Sequence, residues 1–277
     1  MKRKIFGTIG FYSLLAIIII VDLFPLYWMI SSSLKTYDEL FNPSILLPSK
    51  LFYKNYIDAI FGWEGSFFIQ MKNSIILAVS TAALAMFIAI PSGYALARLT
   101  FKWKKLFMRS ILFTYVVPST FLVVPYFALM SFYKLYNTYF GVIIADTVFT
   151  LPYCVLVLME YFRSIPKEIE ESALVDGATI ASIIIKIIIP LSAPALAAIA
   201  TFAFLYSWNE YLYVIVLMGS SDMFTVPVGI GARIAGDTFS YGPMFAMATI
   251  YAIPSIIFYL IIERYIITGL TAGAIKG

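Results

Sequence analysis

The sequence contains no histidine and a single cysteine, and only 12% of its residues are charged. Each scarcity removes a class of function. Without histidine there is no Ser-His-Asp triad, no histidine-ligated metal centre and no imidazole proton relay. With Cys154 alone, an intrachain disulfide and a metal site built from several cysteines are excluded, and its place inside an apolar run reads as packing. The charge density is roughly half that of an average soluble domain. The net charge of +4 is scattered between apolar runs rather than gathered into a basic patch interleaved with aromatics, so no nucleic acid is expected as a partner. No G-x-x-x-x-G-K-[ST] phosphate loop occurs, so ATP-driven work would draw its energy from another subunit.

What the chain does have is apolar length, with 62% hydrophobic residues. Crossing ~30 Å of hydrocarbon takes ~20 helical residues. Six runs qualify: Ile9 to Ile30, Ser74 to Ala97, Leu106 to Met130, Tyr139 to Met159, Leu191 to Met218 and Pro243 to Ile262. The expected fold is all-α, a polytopic integral membrane protein with about six transmembrane helices. The first run follows "MKRK", but its length, Asp22 and Pro25 separate it from a signal-peptide core, and it reads as a retained anchor. Prolines recur inside the runs and predict kinked helices.

Basic residues set the orientation. With the N-terminus inside, 13 lysines and arginines fall in inside segments and 6 in outside segments, which places both termini in the cytoplasm. The organisation expected from this is a cytoplasmic tail over 1–8, a first transmembrane helix over 9–30 and an extracytoplasmic loop over 31–73. A membrane core over 74–264 follows, with five transmembrane helices and a cytoplasmic loop at 161–190, and then a cytoplasmic tail over 265–277. The prolines, tyrosines and tryptophan of "FNPSILLPSKLFYKNYIDAIFGWEGSFF" suit an interfacial loop with short helices.

The cytoplasmic loop interrupts the apolar chain with a punctuated motif, "RSIPKEIEESALVDGATIASIIIKIIIPLSAP". Ser164 and Pro166 are helix-start signals, Glu168, Glu170 and Glu171 lie near the positive end of the dipole, and Gly177 is a stop. At 100° per residue Ile165, Ile169 and Ala173 share a face, while Lys167, Glu170 and Glu171 point broadly the other way, to the cytosol. Thr179 is placed to cap a second short helix that Pro190 ends. Such a pair of helices is shaped for docking into a groove, although an ordinary surface loop has the same amphipathicity.

This stretch resembles the EAA loop of ATP-binding-cassette importer permeases. Glu171, Ser172 and Ala173 stand for the triplet, with serine replacing the usual middle alanine. Asp176 and Gly177, followed by Ala178, stand for the Asp-Gly step, and Ile187, Ile189 and Pro190 for the apolar end. With "RSIPKEIEE", "FLYSWNEYLYVIVLM" and the tail "ITGLTAGAIKG", the chain from about Asn73 onward is similar to the smaller permease of the carbohydrate-uptake branch. The resemblance implies a type I importer permease fold, with Glu171, Ser172, Ala173, Asp176, Gly177 and Ala178 coupling to a separate ATPase. It further implies a second homologous permease, two ATPase subunits, an extracytoplasmic sugar-binding protein and residence in the cytoplasmic membrane. No catalytic or metal site is expected; the chain would bind no cofactor, and ATP and Mg would sit on the partner ATPase.

A second candidate site is "YSWNEYLY" in the fifth run. An ionised Glu210 facing lipid would cost ~2.5 to 3.5 kcal/mol, so it should face protein or water. Tyr206, Trp208, Asn209, Glu210 and Tyr211 could line a substrate path, since aromatic faces pack on sugar C–H surfaces while amides and carboxylates take hydroxyls. The same residues would equally serve a helix-helix hydrogen-bond network. Asp22 and Asp146 read as interhelical partners. The alternatives from other classes are a secondary transporter, which leaves the loop unexplained, an integral-membrane enzyme, for which few acid-base groups are present, and a permease for another substrate.

Overall fold

A computed structural model describes the backbone of residues 2–62, 66–235 and 240–274, and the side chains of 10–62, 66–234 and 240–263. Trp63 and Arg264 therefore lie outside the described side chains, as does the whole of the expected C-terminal tail over 265–277. Among the described residues there is no strand. The helices are α1 (Lys2–Ser33), α2 (Tyr37–Leu40), α3 (Lys54–Phe61), α4 (Ser66–Arg98), α5 (Lys104–Val116), α6 (Val123–Phe132), α7 (Tyr139–Ser164) and α8 (Lys167–Val175), then α9 (Ile180–Ile183), α10 (Ile189–Leu191), α11 (Ala193–Trp208), α12 (Leu212–Leu217), α13 (Val226–Ala235) and α14 (Tyr241–Ala274).

Among the described residues, four stretches are long and apolar enough to cross a membrane as single helices: 10–33, 66–98, 139–164 and 241–263. Two further candidate spans are bent pairs, Lys104–Val116 with Ser119–Phe132 at 94° and Ile180–Leu191 with Ala193–Trp208 at 84°. The third apolar run is thus a broken helix rather than a continuous one. The cause is local: Pro118 forces Val117 into extended backbone (ψ 120°), because the pyrrolidine ring clashes with a helical predecessor. By contrast Pro25, Pro91, Pro152 and Pro254 are accommodated inside helices.

The fifth run also differs from a single helix over Leu191 to Met218. It is α11, a break at Asn209–Tyr211, and α12. Ahead of it, Pro190 does not end the second loop helix. Ile184–Ile188 widens into a π-turn and the helix continues to Leu191 before Ser192 breaks it. A widened turn relieves the clash between a proline ring and the carbonyl four residues earlier.

The chain forms two compact units, Met1–Phe68 with Ile230–Ile253, and Ile69–Gly229 with Pro254–Gly277. In the first, the segment after α1 is a hydrogen-bonded platform. Lys35 is fully buried, donates to the Ile45 carbonyl at 2.6 Å and lies 4.1 Å from the centre of the Trp28 ring. Burial lowers its pKa, and Glu39 opposes the shift. The Glu39 carboxylate receives the Ser49 hydroxyl and the Thr36 and Ser49 amides, which together hold its pKa down at about 2. Asn55 donates to the carbonyls of Ser33 (3.0 Å) and Lys35 (2.9 Å). Few of these bonds are foreseeable from an interfacial-loop pattern.

In the second unit, Leu77, Val142, Ile143, Tyr213, Val214, Leu217 and Val228 are buried in one cluster, so α4, α7, α12 and α13 share a core. Asn73, in α4, is buried against three partners: its amide donates to the carbonyls of Asp222 (2.8 Å) and Phe224 (2.9 Å) and accepts from the Tyr139 hydroxyl (2.7 Å). Cys154 is fully buried on α7, with its sulfur over the Ile199 carbonyl of α11, in keeping with a packing role.

Candidate functional site

The loop motif at 161–190 folds as its first-helix and capping signals predict. Helix α8 starts after Pro166 and closes in a Schellman turn: the Gly177 amide donates to the Leu174 carbonyl at 3.0 Å and the Ala178 amide to the Ala173 carbonyl at 2.9 Å. Gly177 has φ +82°, the left-handed region that a Cβ disfavours. No atom lies within 4 Å of the position a Cβ would take, so within this chain the need for glycine is conformational and not steric. The Thr179 hydroxyl accepts the Ser182 amide at 3.3 Å and caps α9 as expected.

One expectation is overturned. Glu170 does not point to the cytosol with Glu171: it is buried, while Ile169, assigned to the inner face, is exposed. The Glu170 Oε1 lies 2.6 Å from the Arg98 Nε, its Oε2 accepts the Tyr94 hydroxyl at 2.8 Å, and Arg98 Nη2 donates to the Ile165 carbonyl at 2.6 Å. Both charged side chains are over nine-tenths buried, at 7% and 8% exposure. The helix wheel does not hold as drawn: Ile165 is buried but Ile169 is exposed, and Glu170 is buried but Glu171 is exposed, because Arg98, at the end of α4, draws Glu170 inward. Arg98 and Tyr94 were not foreseen as site residues. The available signal was a lone arginine ending an apolar run, and it served only to orient the chain.

The outer face of α8 consequently carries Glu171, Ser172, Ile169, Leu174 and Val175, all exposed, with Asp176 and Gly177 at its end and Ala173 and Ala178 half-buried. Val175 is 88% exposed. A short capped helix that buries its base through an ion pair and displays branched apolar side chains beside a carboxylate has the chemistry of a docking ridge.

The second candidate site lies where α11 stops. Trp208 turns into the core, 2% exposed, and stacks on Phe204, which in turn stacks on Phe258. It is a packing residue within this chain, not a free sugar platform. Tyr206 and Glu210 are half-buried, and Asn209 and Tyr211 are exposed. The Glu210 carboxylate accepts the Tyr213 amide at 2.8 Å, satisfying an otherwise unpaired donor in the first turn of α12. Glu210 therefore faces protein at a helix break. Asp146 pairs α7 with α11 through the Ser207 hydroxyl at 2.5 Å, the interhelical role expected of it. Asp22 is exposed on α1, with no interhelical bond of its own among the described residues.

A crevice of about 500 Å³ between α4, α5 and α7 is lined mainly by apolar side chains, among them Leu96, Phe107, Ile111 and Leu151. Tyr206 to Tyr211 are not part of it, and its walls do not suit a hydroxyl-rich solute.

With this geometry in hand, comparison with known proteins is informative. Residues 89–267 match the profile of the family described as binding-protein-dependent transport system inner membrane component. The chain is 34% identical over 277 residues to the inner membrane ABC transporter permease protein YcjP of Escherichia coli (strain K12), covering 100% of this chain and 99% of that one. It is 34% identical over 273 residues to the arabinooligosaccharides transport system permease protein AraQ of Halalkalibacterium halodurans, covering 98% of this chain and 95% of that one. Its fold matches a chain in the crystal structure of a bacterial ABC transporter involved in the import of the acidic polysaccharide alginate, with TM-score 0.80 and 24% identity over 96% of this chain and 98% of that chain.

Proposed function

Because the chain belongs to the family of binding-protein-dependent transport system inner membrane components, we propose that it is the permease subunit through which an ATP-binding-cassette importer moves a sugar or oligosaccharide across the cytoplasmic membrane, and that the exposed face of α8 seats the ATPase. The chain is a transport subunit, and ATP hydrolysis belongs to a separate subunit. The observation that carries the reading is the loop: a helix closed by a left-handed glycine, tied at its base to the end of α4, with Glu171 and apolar side chains turned outward. ATP and Mg sit on the partner in this reading, and α8 receives the motion of the ATPase pair. Differential contacts in two states then shift the permease between outward-open and inward-open populations.

A second, homologous permease completes the pathway, with two ATPases and an extracytoplasmic binding protein. Helix α1 supports this pairing. Its membrane window buries none of its residues within this chain, and Asp22 inside it would be costly against lipid. A neighbouring helix satisfies both. A carbohydrate substrate is favoured by the arabinooligosaccharide relative and by Tyr206, Asn209, Glu210 and Tyr211 at the break after α11.

Reconstituted complexes test the reading. Uptake is expected to vanish when the partner ATPase cannot hydrolyse ATP; uptake driven instead by an ion gradient would mark a secondary transporter. Asn209→Ala is expected to raise the KM for sugar with normal assembly, whereas loss of the assembled complex would assign Asn209 a structural role. For topology, single cysteines at Lys50 and Thr271 in a background lacking Cys154 are expected to label oppositely with an impermeant thiol reagent in intact cells. Labelling of both from outside would refute cytoplasmic termini.

A further inference from the structure

The buried cluster under α8 joins three elements: the Glu170 carboxylate ties α8 to α4, and the Arg98 guanidinium ties α4 to the end of α7. Glu170 comes from α8, Arg98 and Tyr94 from the last turns of α4, and the Ile165 carbonyl from the end of α7. Near this cluster α4 and α7 are in close backbone contact, since a Cβ on Gly93 would meet the Leu158 Cβ at 3.0 Å and the Met159 nitrogen at 3.3 Å. The other side of the loop is built differently. Beyond Gly177 the chain passes through a left-handed turn, a four-residue helix, a π-widened turn and an 84° bend at Ser192 before α11 begins.

We propose that the Arg98–Glu170 pair with Tyr94 is the rigid joint through which α8 drives α4 and α7, while the Gly177-to-Ser192 segment is a compliant link to α11. Glu170 and Arg98 are positioning residues here: they touch neither ATP nor sugar. The physical basis is the asymmetry of the two connections. Glu170 held at one oxygen by Arg98 Nε and at the other by the Tyr94 hydroxyl, with Arg98 also bound to the Ile165 carbonyl, resists displacement in several directions at once, and a buried charge cannot leave its partner without losing compensation. A π-turn and a sharp bend, by contrast, are places where a helix changes register or direction. Motion imposed on the outer face of α8 therefore enters the membrane along α4 and α7, and reaches α11 through its packing on α7 rather than along the loop. The inference rests on the importer reading and goes beyond it by assigning the direction of transmission to named residues.

The test is the number of sugars imported per ATP hydrolysed by purified complexes in vesicles, normalised to assembled complex. Glu170→Gln keeps the shape and removes the charge. It is expected to retain the ATPase and hydrolyse ATP while this ratio falls by about 5- to 150-fold, the usual span of coupling between sites. Glu170→Asp, which keeps the charge, should recover part of the ratio. Asp38→Asn, which removes an exposed carboxylate on α2 outside the loop, should leave it unchanged. If Glu170→Gln does not assemble, Tyr94→Phe decides, because it removes only the bond to Oε2 and leaves the ion pair; a lowered ratio supports the joint. An unchanged ratio in the assembled Glu170→Gln complex, or in Tyr94→Phe, overturns it. Wild-type uptake that does not require the ATPase would instead remove the importer reading itself, so the two failures are distinguishable.

Discussion

Replacing Gly177 by valine is expected to abolish coupled uptake while the membrane helices still insert and pack. At φ +82° the residue occupies left-handed backbone, which costs an L-residue about 1–2 kcal/mol and is a steric outlier for a β-branched one. The surroundings offer no clash within 4 Å, so the loss is one of loop geometry rather than of core packing. The Gly177-to-Leu174 and Ala178-to-Ala173 bonds close the C-terminus of α8 only in that conformation. Strain of about 1–2 kcal/mol lowers the population of the correct ridge about 5- to 30-fold. Co-purification of the ATPase and sugar-stimulated ATP hydrolysis measure the effect, and Gly177→Ala should be milder. Glu171→Ala, which leaves the backbone intact, should weaken ATPase retention without changing the yield of inserted protein. Normal coupled uptake by both Gly177→Val and Glu171→Ala would show that the ridge is not a docking element.

The largest stability loss is expected at Asn73. Its side chain satisfies the carbonyls of Asp222 and Phe224 and the hydroxyl of Tyr139, and the neighbouring Ser74 hydroxyl accepts the Val226 amide at 3.1 Å. Asn73→Ala strands three polar groups in a buried site, each at a cost of about 1–3 kcal/mol unless water replaces the amide. The unfolding midpoint of the detergent-solubilised protein should fall sharply. Asn73→Asp, which keeps the acceptor for Tyr139 but loses the donors, should also be destabilised. An unchanged midpoint in Asn73→Ala would mean that this junction is solvated and contributes little.

The features that were legible in advance are those governed by nearest neighbours along the chain. Apolar length identified the runs that become α1, α4, α7 and α14, because a helix satisfies its own backbone and needs only enough apolar residues to span. Thr179 as a cap and Gly177 as a stop depend on bonds reaching three to five residues. The break at Val117–Pro118 belongs to the same local class, and it could be foreseen as a kink though not as a 94° turn. The break at Asn209–Tyr211 had weaker local signals, and an apolar window alone read through it.

By itself, then, the sequence determined a helical membrane chain without histidine chemistry or a phosphate loop of its own, and a capped loop with the marks of an ATPase-coupled permease. Only the tertiary structure decided that Glu170 turns inward while Glu171 turns outward, that Trp208 packs against Phe204, and that Asn73 anchors the segment around Asp222. The reason is range. Helical periodicity suggests which residues share a face, but the side chains that turn inward are chosen by partners 72 residues away for Glu170 and 149 away for Asn73. In a low-dielectric interior a buried polar group must find such a partner, so the long-range pairing overrides the hydrophobic pattern that a single helix displays.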